Sequence, residues 1–461
     1  MQFKDAQDTL LQNGQGRVLR FWDRLEDEER SSLLAQIEAI DFGAVERMRL
    51  QLAANLKGDG GGDGEIVSPI SPAPVLKLAG DALTAAIEIG EAELRAGKVA
   101  ALLVAGGQGS RLGYEGPKGC YGIGPASDAS LFYFHARKIL ALSRRYGKPV
   151  PIYIMTSESN DAQTRAFFVE HKFFGLDEAD VFFFVQSMWP ALDEKGEIIL
   201  ESPSRISLAA DGHGGTISAL AASGGLADMK RRGIETVFFF QVDNPLVDVC
   251  SPAFIGFHKQ HGADVTAKVC EKSFAMEKVG MPVARDGKAL IVEYTEFTEE
   301  QQNERLPGGE LRFNYGSVNI LVFNVSFLES EAGKNLPLHI QFKQIAAVDD
   351  SKPKKPNGYK FEKFIFDALA DADVTRFLAF DRADEFAPVK NATGVDSAET
   401  CKAALVAKWR RWLAAAGVNT AENAVIEIDP VFADSQTALI GRLRENKTVI
   451  DANAKTILLQ M

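Results

Sequence analysis

Leu102-Leu103-Val104-Ala105-Gly106-Gly107-Gln108-Gly109-Ser110-Arg111-Leu112-Gly113, followed by Pro117-Lys118-Gly119, is the stretch on which the reading of this chain turns. The unbroken apolar run 99–105 stops at two glycines, the pattern of a strand buried on both faces entering a turn. A glycine-rich turn between strand and helix lets backbone N–H groups approach phosphate oxygens closely. Arg111 and Lys118 add mobile positive charge suited to a triphosphate. Two familiar phosphate loops do not match. The dinucleotide fingerprint wants a third glycine where Leu112 stands, counting from Gly107 and Gly109, and no acidic residue closes the next strand at the usual distance. A Walker loop wants Gly-Lys-Ser/Thr, whereas Lys118 lies between Pro117 and Gly119.

Outward from this loop, similar apolar runs recur at 150–155, 181–185, 236–242, 265–269, 289–294, 319–325 and 375–380. Helical patterns at 131–145, 161–172 and 216–232 separate several of them. That alternation predicts an α/β fold with a mostly parallel sheet covered on both faces. Some later runs lack an intervening helix, so a mixed central sheet is expected. The runs Phe182-Phe183-Phe184 and Phe238-Phe239-Phe240 read as strands buried on both faces. Residues 1–56 read as helical, with Val18, Phe21, Trp22 and Leu25, and again Leu33, Ile37 and Ile40, at helical spacing. A Gly-rich then Pro-rich connector spans 57–75, and a helix resumes over 80–97. Near the end, Leu405, Trp409 and Leu413 mark an amphipathic helix, and short strand-like pieces follow at 424–428 and 456–460. The expected organisation is a helical N-terminal region (1–98), a catalytic domain (99–395) and a small C-terminal α+β domain (396–461).

Composition narrows the function classes. The chain has 461 residues, 46% apolar and 25% charged, an ordinary globular balance. A net charge of -12 argues against a nucleic-acid polymer as partner, because phosphate backbones need a basic face. The four cysteines, Cys120, Cys250, Cys270 and Cys401, are scattered without a CxxC pair, which fits a reducing compartment and not a zinc site. No apolar signal core opens the chain and no 18-residue apolar run follows. A soluble cytoplasmic protein with no membrane partner is the expectation.

The loop L-x-x-G-G-x-G-[ST]-R-L-G followed by P-K resembles the signature of sugar-nucleotide pyrophosphorylases. More specifically, the chain resembles the eukaryotic-type UDP-sugar pyrophosphorylases, and among them the UDP-N-acetylhexosamine enzymes. The likeness continues through 151–157 (PIYIMTS), 186–190 (QSMWP), 211–215 (DGHGG), 241–244 (QVDN) and 292–294 (VEY), and then through 355–358 (KPNG), 362–367 (EKFIFD) and 386–392 (FAPVKNA). Leu19-Arg20-Phe21-Trp22 has a counterpart too. The resemblance implies a Rossmann-like nucleotidyltransferase domain of the glycosyltransferase-A type. It also implies UTP and a sugar 1-phosphate as substrates, with Mg²⁺ as cofactor.

Site residues follow from the same motifs. Gly106, Gly107 and Gly109 would meet the nucleotide phosphates, with Arg111, Lys118 and, from the C-terminal side, Lys390 neutralising their charge. Asp243, at the end of the run 236–242, falls at the edge where open α/β sheets bind ligands, and a carboxylate there suits Mg²⁺; otherwise it is a turn or cap aspartate. Gln186 matches the family's uracil-reading glutamine, its amide offering one donor and one acceptor to an imide edge. Gly212 lies in a loop near nucleotide and sugar. His213, Gly280, Glu293, Tyr294 and Ser317 match positions around or near the sugar, and Asn319 is added to that set by its spacing from Ser317. Phe364 and Phe366 match aromatic residues near the pocket, although core packing alone would explain them.

Two departures touch the sugar: His213 and Ser317 each stand where the N-acetylhexosamine enzymes usually have asparagine. Asn319, two residues on along an expected strand, would share a face with Ser317 and compensate in part. N-acetylglucosamine 1-phosphate is therefore the expected sugar, with glucose or galactose 1-phosphate as the alternative. A catalytically silent UDP-sugar sensor would be expected to lose Arg111, Lys118, Asp243 or Lys390, and all four are present. A glycosyltransferase would not need the charged glycine loop and usually carries Asp-x-Asp, whereas Asp243 precedes Asn244 and Pro245.

Overall fold

The computed structural model describes residues 1–56, 70–445 and 450–460. Most of the expected connector, 57–69, lies outside the described residues. The described residues divide into two compact units: one comprises 1–56, 186–216 and 335–368, and the other 70–185, 217–334, 369–445 and 450–460. The three segments expected from sequence are thus redistributed, because compactness follows burial and not chain order.

The larger unit is built on a mixed sheet. Among the described residues its strands are β1 (Val75–Leu76), β2 (Val99–Val104), β3 (Ile152–Thr156), β4 (Val181–Val185), β5 (Thr236–Gln241), β6 (Val265–Glu271), β7 (Tyr315–Asn324) and β8 (Thr375–Ala379). They lie in the order β1-β8-β6-β7-β5-β2-β3-β4. Only β7 runs against its neighbours, β5 and β6; every other pair is parallel. β3 is buried throughout and β5 through Phe240, as runs without polar alternation require. β4 departs from that expectation: of its phenylalanines only Phe184 is buried, because β4 is the sheet's edge and lacks a neighbour on one side. The run 289–294 also departs. Its strand, Lys288–Val292, joins a separate three-stranded sheet with Ser71–Pro72 and Met281–Arg285, over a small core of Met281, Val283, Val292, Phe297 and Phe313.

Helices cover the sheet. Gly80–Arg95 and Pro252–Gln260 cross in backbone contact: a Cβ on Gly90 would lie 1.9 Å from the Pro252 carbonyl oxygen, and one on Gly256 would lie 1.7 Å from that of Ala86. Leu131–Tyr146 is capped by Ser130, whose hydroxyl accepts from the Tyr133 N–H, and ends at left-handed Gly147. The helix expected over 216–232 is two, Thr216–Ala222 and Gly225–Arg231, broken at Gly224, which has φ 81°. At the C-terminal end, Cys401, Leu405, Trp409 and Leu413 of helix Ala398–Ala415 join the same core as the central sheet, so this segment has no separate core. Buried Glu427 and Asp429 tie it further. Glu427 accepts from the N–H groups of Ala126 and Ser127, and Asp429 pairs with Arg137.

The smaller unit packs helices Phe3–Gln12, Asp27–Glu38 and Phe42–Leu56 around Leu10, Val18, Leu33, Ile37, Met48 and Leu52. Trp189, Leu192, Ile198, Leu200, Ile206 and Phe361 complete that core. Its strands pair as short antiparallel ladders, Met188–Pro190 with Leu208–Ala210 and His339–Lys343 with Gly358–Glu362. No helix among the described residues is long and apolar enough to cross a membrane.

Candidate active site

In the larger unit the parallel pairing of β2 and β5 sets Val104 beside Gln241, so the two following loops leave the sheet side by side. After β2 the glycine loop folds back on itself: Gly109 N–H donates to Gly116 O (2.9 Å) and Lys118 N–H to Gly107 O (3.0 Å). Asn160, buried at the head of helix Asp161–Glu170, steadies the loop's entry, its amide donating to Ala105 O at 2.9 Å and Gly107 O at 3.3 Å. The glycines serve different ends. A Cβ on Gly109 would sit 2.7 Å from Tyr114 Cδ1, so the loop's own packing demands glycine. A Cβ on Gly107 would meet nothing within 4 Å. The loop therefore does not need glycine there to fold, and the bare backbone leaves the space in front of it open to a ligand.

Arg111 stands exposed on this loop, with no ion-pair partner among the described residues. Lys118 does not. Its ammonium lies 3.1 Å from Asp243 Oδ2, joining two residues 125 positions apart that separate motifs had singled out. Asp243 follows β5 and is 8% exposed. Its turn is pinned on both sides by Val242 N–H to Val104 O (3.0 Å) and His135 Nε2 to Val242 O (2.9 Å). Burial pushes the His135 pKa down to about 3, so the ring is neutral and donates from Nε2. Val389 N–H donates to Asp243 O at 2.8 Å, which brings Lys390 to the same turn. The Lys390 side chain is exposed, its ammonium 5.8 Å from the Phe386 ring centre.

Of the residues expected on the sugar side, Ser317 and Glu293 lie beside Gly280. Ser317 N–H donates to Gly280 O at 2.7 Å, and a Cβ on Gly280 would lie 2.7 Å from Ile291 and 3.6 Å from Glu293 Oε1. Ser317 is 7% exposed, and its hydroxyl oxygen is buried without a hydrogen-bond partner among the described residues. Tyr294 is half-buried at the start of a short turn, its carbonyl accepting from Gln302. The expectation for Asn319 fails in its premise. Pairing with β6 jumps from Val269↔Ser317 to Ala267↔Leu321, and Asn319 has φ 57°. This bulge interrupts the pleat between Ser317 and Asn319, so period-two spacing no longer places them on one face.

In the smaller unit, the loop after Leu208–Ala210 rests on the strand end at Lys363. Gly214 N–H donates to Lys363 O (2.9 Å), and Lys363 N–H to Asp211 O (2.8 Å). Gly212, at φ 82°, could carry no side chain, because its Cβ would lie 2.4 Å from Lys363 O. His213 stacks on Phe364 (5.3 Å, 16°) and lies 5.6 Å from Phe366, while its Nδ1 accepts from Ile365 N–H at 3.1 Å. Burial lowers its pKa to about 4, so a neutral ring keeps Nε2–H as its spare donor. Asp211 is 1% exposed with both carboxylate oxygens unbonded among the described residues, and burial drives its pKa up to about 7 against the pull of Lys363 at 4.0 Å. Gln186 is buried, and its amide has no protein partner among the described residues. In the run 352–355 the lysines are exposed, as a solvated charge run would be, while Asn357 clasps both the N–H and the carbonyl of Ile345.

Asn160, Asn244, Lys268 and Glu385 bear on the site without having been singled out in sequence; each acts on backbone or side chains far away in the chain, which no local motif records. Among the described residues no three His, Cys, Asp or Glu side chains converge as a metal cage. Asp243 alone still fits Mg²⁺, which characteristically takes one or two carboxylates together with waters and substrate phosphates. The Lys118 ammonium against its carboxylate marks a place suited to a cation.

Comparison with known proteins gives the family and the fold. A family model described as UTP–glucose-1-phosphate uridylyltransferase matches residues 77–432. The chain is 37% identical over 431 residues to the UDP-N-acetylhexosamine pyrophosphorylase-like protein 1 of Xenopus tropicalis, covering 88% of this chain and 84% of that one. It is 32% identical over 447 residues to the UDP-N-acetylglucosamine pyrophosphorylase of Saccharomyces cerevisiae, covering 92% and 94%. The crystal structure of the uridine diphosphate N-acetylglucosamine pyrophosphorylase from Trypanosoma brucei superposes with a TM-score of 0.86 at 27% identity, over 99% of this chain and 98% of that one. The expected nucleotidyltransferase-type fold with a mixed central sheet is thus observed.

Proposed function

The chain belongs to the UTP–glucose-1-phosphate uridylyltransferase family, and from that premise we propose that it joins a sugar 1-phosphate to UTP, releasing pyrophosphate. A phosphate oxygen of the sugar 1-phosphate attacks the α-phosphorus of UTP. The bond from that phosphorus to the bridging oxygen breaks, and pyrophosphate leaves with the electron pair. A phosphate monoester is already a competent nucleophile, so no side-chain nucleophile is needed. What remains for the protein is positioning and charge neutralisation.

The observation that carries this reading is the meeting of Lys118 and Asp243 at the strand ends beside the open backbone of Gly107. In the proposed reaction Arg111 and Lys118 hold the triphosphate, and Lys390 neutralises phosphate charge from the C-terminal segment. Asp243 holds Mg²⁺, which when bound supplies charge stabilisation to the phosphates. Gln186, with its unspent amide, reads uracil and makes UTP the preferred nucleotide over ATP, GTP and CTP. By the family resemblance Gly212 is assigned to the nucleotide, and His213, Gly280, Glu293, Tyr294 and Ser317 to the sugar side; the bulge removes the spacing argument that had added Asn319.

N-acetylglucosamine 1-phosphate is the proposed sugar, supported by the names of the relatives that the chain matches over most of its length. Ser317 favours a second reading, a plain hexose 1-phosphate, because its short hydroxyl replaces an amide in the family pattern. The test incubates the full chain with UTP, Mg²⁺ and N-acetylglucosamine, glucose or galactose 1-phosphate, and measures pyrophosphate. Release with N-acetylglucosamine 1-phosphate far above the plain hexoses supports the proposal. A clear advantage for glucose or galactose 1-phosphate selects the second reading, and no release with any sugar sinks both.

A further inference from the structure

Asn244 follows Asp243 directly and is 4% exposed, and both polar ends of its side chain are bonded within the protein. Its Nδ2 donates to the Glu385 carbonyl at 2.7 Å, and its Oδ1 accepts from Ala387 N–H at 3.1 Å. Donor meets carbonyl and acceptor meets N–H, so the amide's orientation is set by its partners. With the Val389 N–H bond to Asp243 O, three alternate residues, 385, 387 and 389, are fastened to two consecutive residues of the Asp243 turn. Lys390 is the next residue out.

The far end of this segment is held independently. Glu385 closes the short helix Arg382–Glu385, and its carboxylate takes the Lys268 ammonium at 2.6 Å on both oxygens and the Asp248 N–H at 3.3 Å. Lys268 is buried in β6, at the bulge. An ion pair this buried contributes little net stability after desolvation, and its best-attested use is to fix registry. In front of it, Lys408 donates to the carbonyls of Asp384 (2.6 Å) and Leu246 (3.1 Å), again joining the 384–390 segment to the loop after Asp243.

We propose that Asn244 is a positioning residue that sets the height of Lys390 over the Asp243 turn, so that the lysine addressing the substrate phosphates and the carboxylate proposed to hold Mg²⁺ are built as one piece. Both ends of the Asn244 amide are spent on the 385–387 backbone, so the residue acts through Lys390 and is not itself a ligand. The inference rests on the role given to Lys390 above.

The test is a double-mutant cycle on the full chain with UTP, Mg²⁺ and the preferred sugar 1-phosphate, using Asn244→Ala, Lys390→Ala and the pair. A misplaced charge costs turnover, so Asn244→Ala should lower kcat by about tenfold or more, with KM for UTP changed less than about threefold. In the Lys390→Ala background the same change should cost less than about twofold. Hydrogen exchange gives a readout free of activity, and Asn244→Asp a near-isosteric second variant. In Asn244→Ala the amides of Ala387 and Val389 should exchange faster while β2 and β5 stay protected, whereas Asn244→Asp, which loses only the donor to the Glu385 carbonyl and keeps the acceptor for Ala387 N–H, should loosen them less. Losses that multiply in the double mutant overturn the inference, as does unchanged exchange at Ala387 and Val389. Wild-type turnover in Lys390→Ala removes Lys390 from the proposed reaction, and the clamp then stands or falls on exchange alone.

Discussion

Gly107 and Gly109 lie two residues apart in one loop, and the same substitution should do opposite things to them. At Gly109 an added methyl would lie 2.7 Å from Tyr114 Cδ1, 3.0 Å from its Cβ and 3.1 Å from its carbonyl oxygen. Two of those three atoms cannot swing away, so Gly109→Ala overpacks the loop at about 1–3 kcal/mol. At Gly107 the methyl meets nothing within 4 Å, and the residue is not among the positive-φ glycines. Gly107→Ala should therefore leave stability unchanged or raise it by about 0.4–1 kcal/mol through the unfolded chain. Its cost falls on the ligand, because the methyl occupies the space a phosphate oxygen needs to reach the loop's N–H groups. Losing one hydrogen bond to a charged group is worth about 1.5–3 kcal/mol, or roughly ten- to a hundredfold in kcat/KM for UTP. Thermal melting of both variants, with pyrophosphate release as the rate assay, separates the two effects. The reasoning is refuted if Gly107→Ala melts as low as Gly109→Ala, or if Gly107→Ala keeps wild-type kcat/KM for UTP.

Other outcomes follow from the same geometry. Asp243→Ala should abolish most turnover, by about 10²-fold or more, and weaken the dependence on added Mg²⁺ while melting near wild type; near-normal turnover removes Asp243 from the mechanism. Asp211 gives a pH dependence. Its folded pKa, raised by burial to about 7, means the folded state binds the proton more tightly than the unfolded one, so wild-type stability falls as pH rises from about 4 to about 7. Asp211→Asn should flatten that fall, its melting advantage over wild type growing between pH 5 and 8; a constant difference contradicts the assignment. Ser317→Ala should leave melting unchanged, because the buried hydroxyl already lacks a partner, and should lower kcat/KM for the sugar 1-phosphate by about three- to tenfold; unchanged kinetics places the hydroxyl outside the sugar site.

The parts of this molecule legible in sequence are those whose signal is local. β2, β3 and β5 announce themselves as apolar runs because both their faces are covered. The run 181–185 looks the same, yet it forms an edge strand, since composition does not record whether a neighbour exists on each side. The helix at 216–232 breaks at Gly224, a residue that the apolar periodicity runs straight through. Asn319 shows the sharper limit. The alternation around it is that of an ordinary strand, and only pairing with β6 reveals the bulge that spoils the inference from spacing.

The site divides in the same way, and the division has a physical cause. Arg111, Lys118, Asp243 and Lys390, the proposed ligand-facing residues, stand out in sequence because ligands are read by side chains that must be chemically conspicuous. The groups that hold them are plain amides and one ion pair bonded to distant backbone. Asn244 reaches 141 residues ahead to Glu385, and Asn160 reaches 55 back to Ala105. A loop placed at a strand end by pairing still has its side chains free to wander by an ångström, and phosphoryl-transfer chemistry that depends on positioning is sensitive to that distance. Buried amides answer the need because they offer a donor and an acceptor at fixed separation and carry no charge to desolvate. In this fold the conspicuous charges and the inconspicuous amides are adjacent in sequence at one place, Asp243-Asn244. That adjacency makes the turn after β5 the point where strand order, the C-terminal segment and the proposed phosphate chemistry are brought into register.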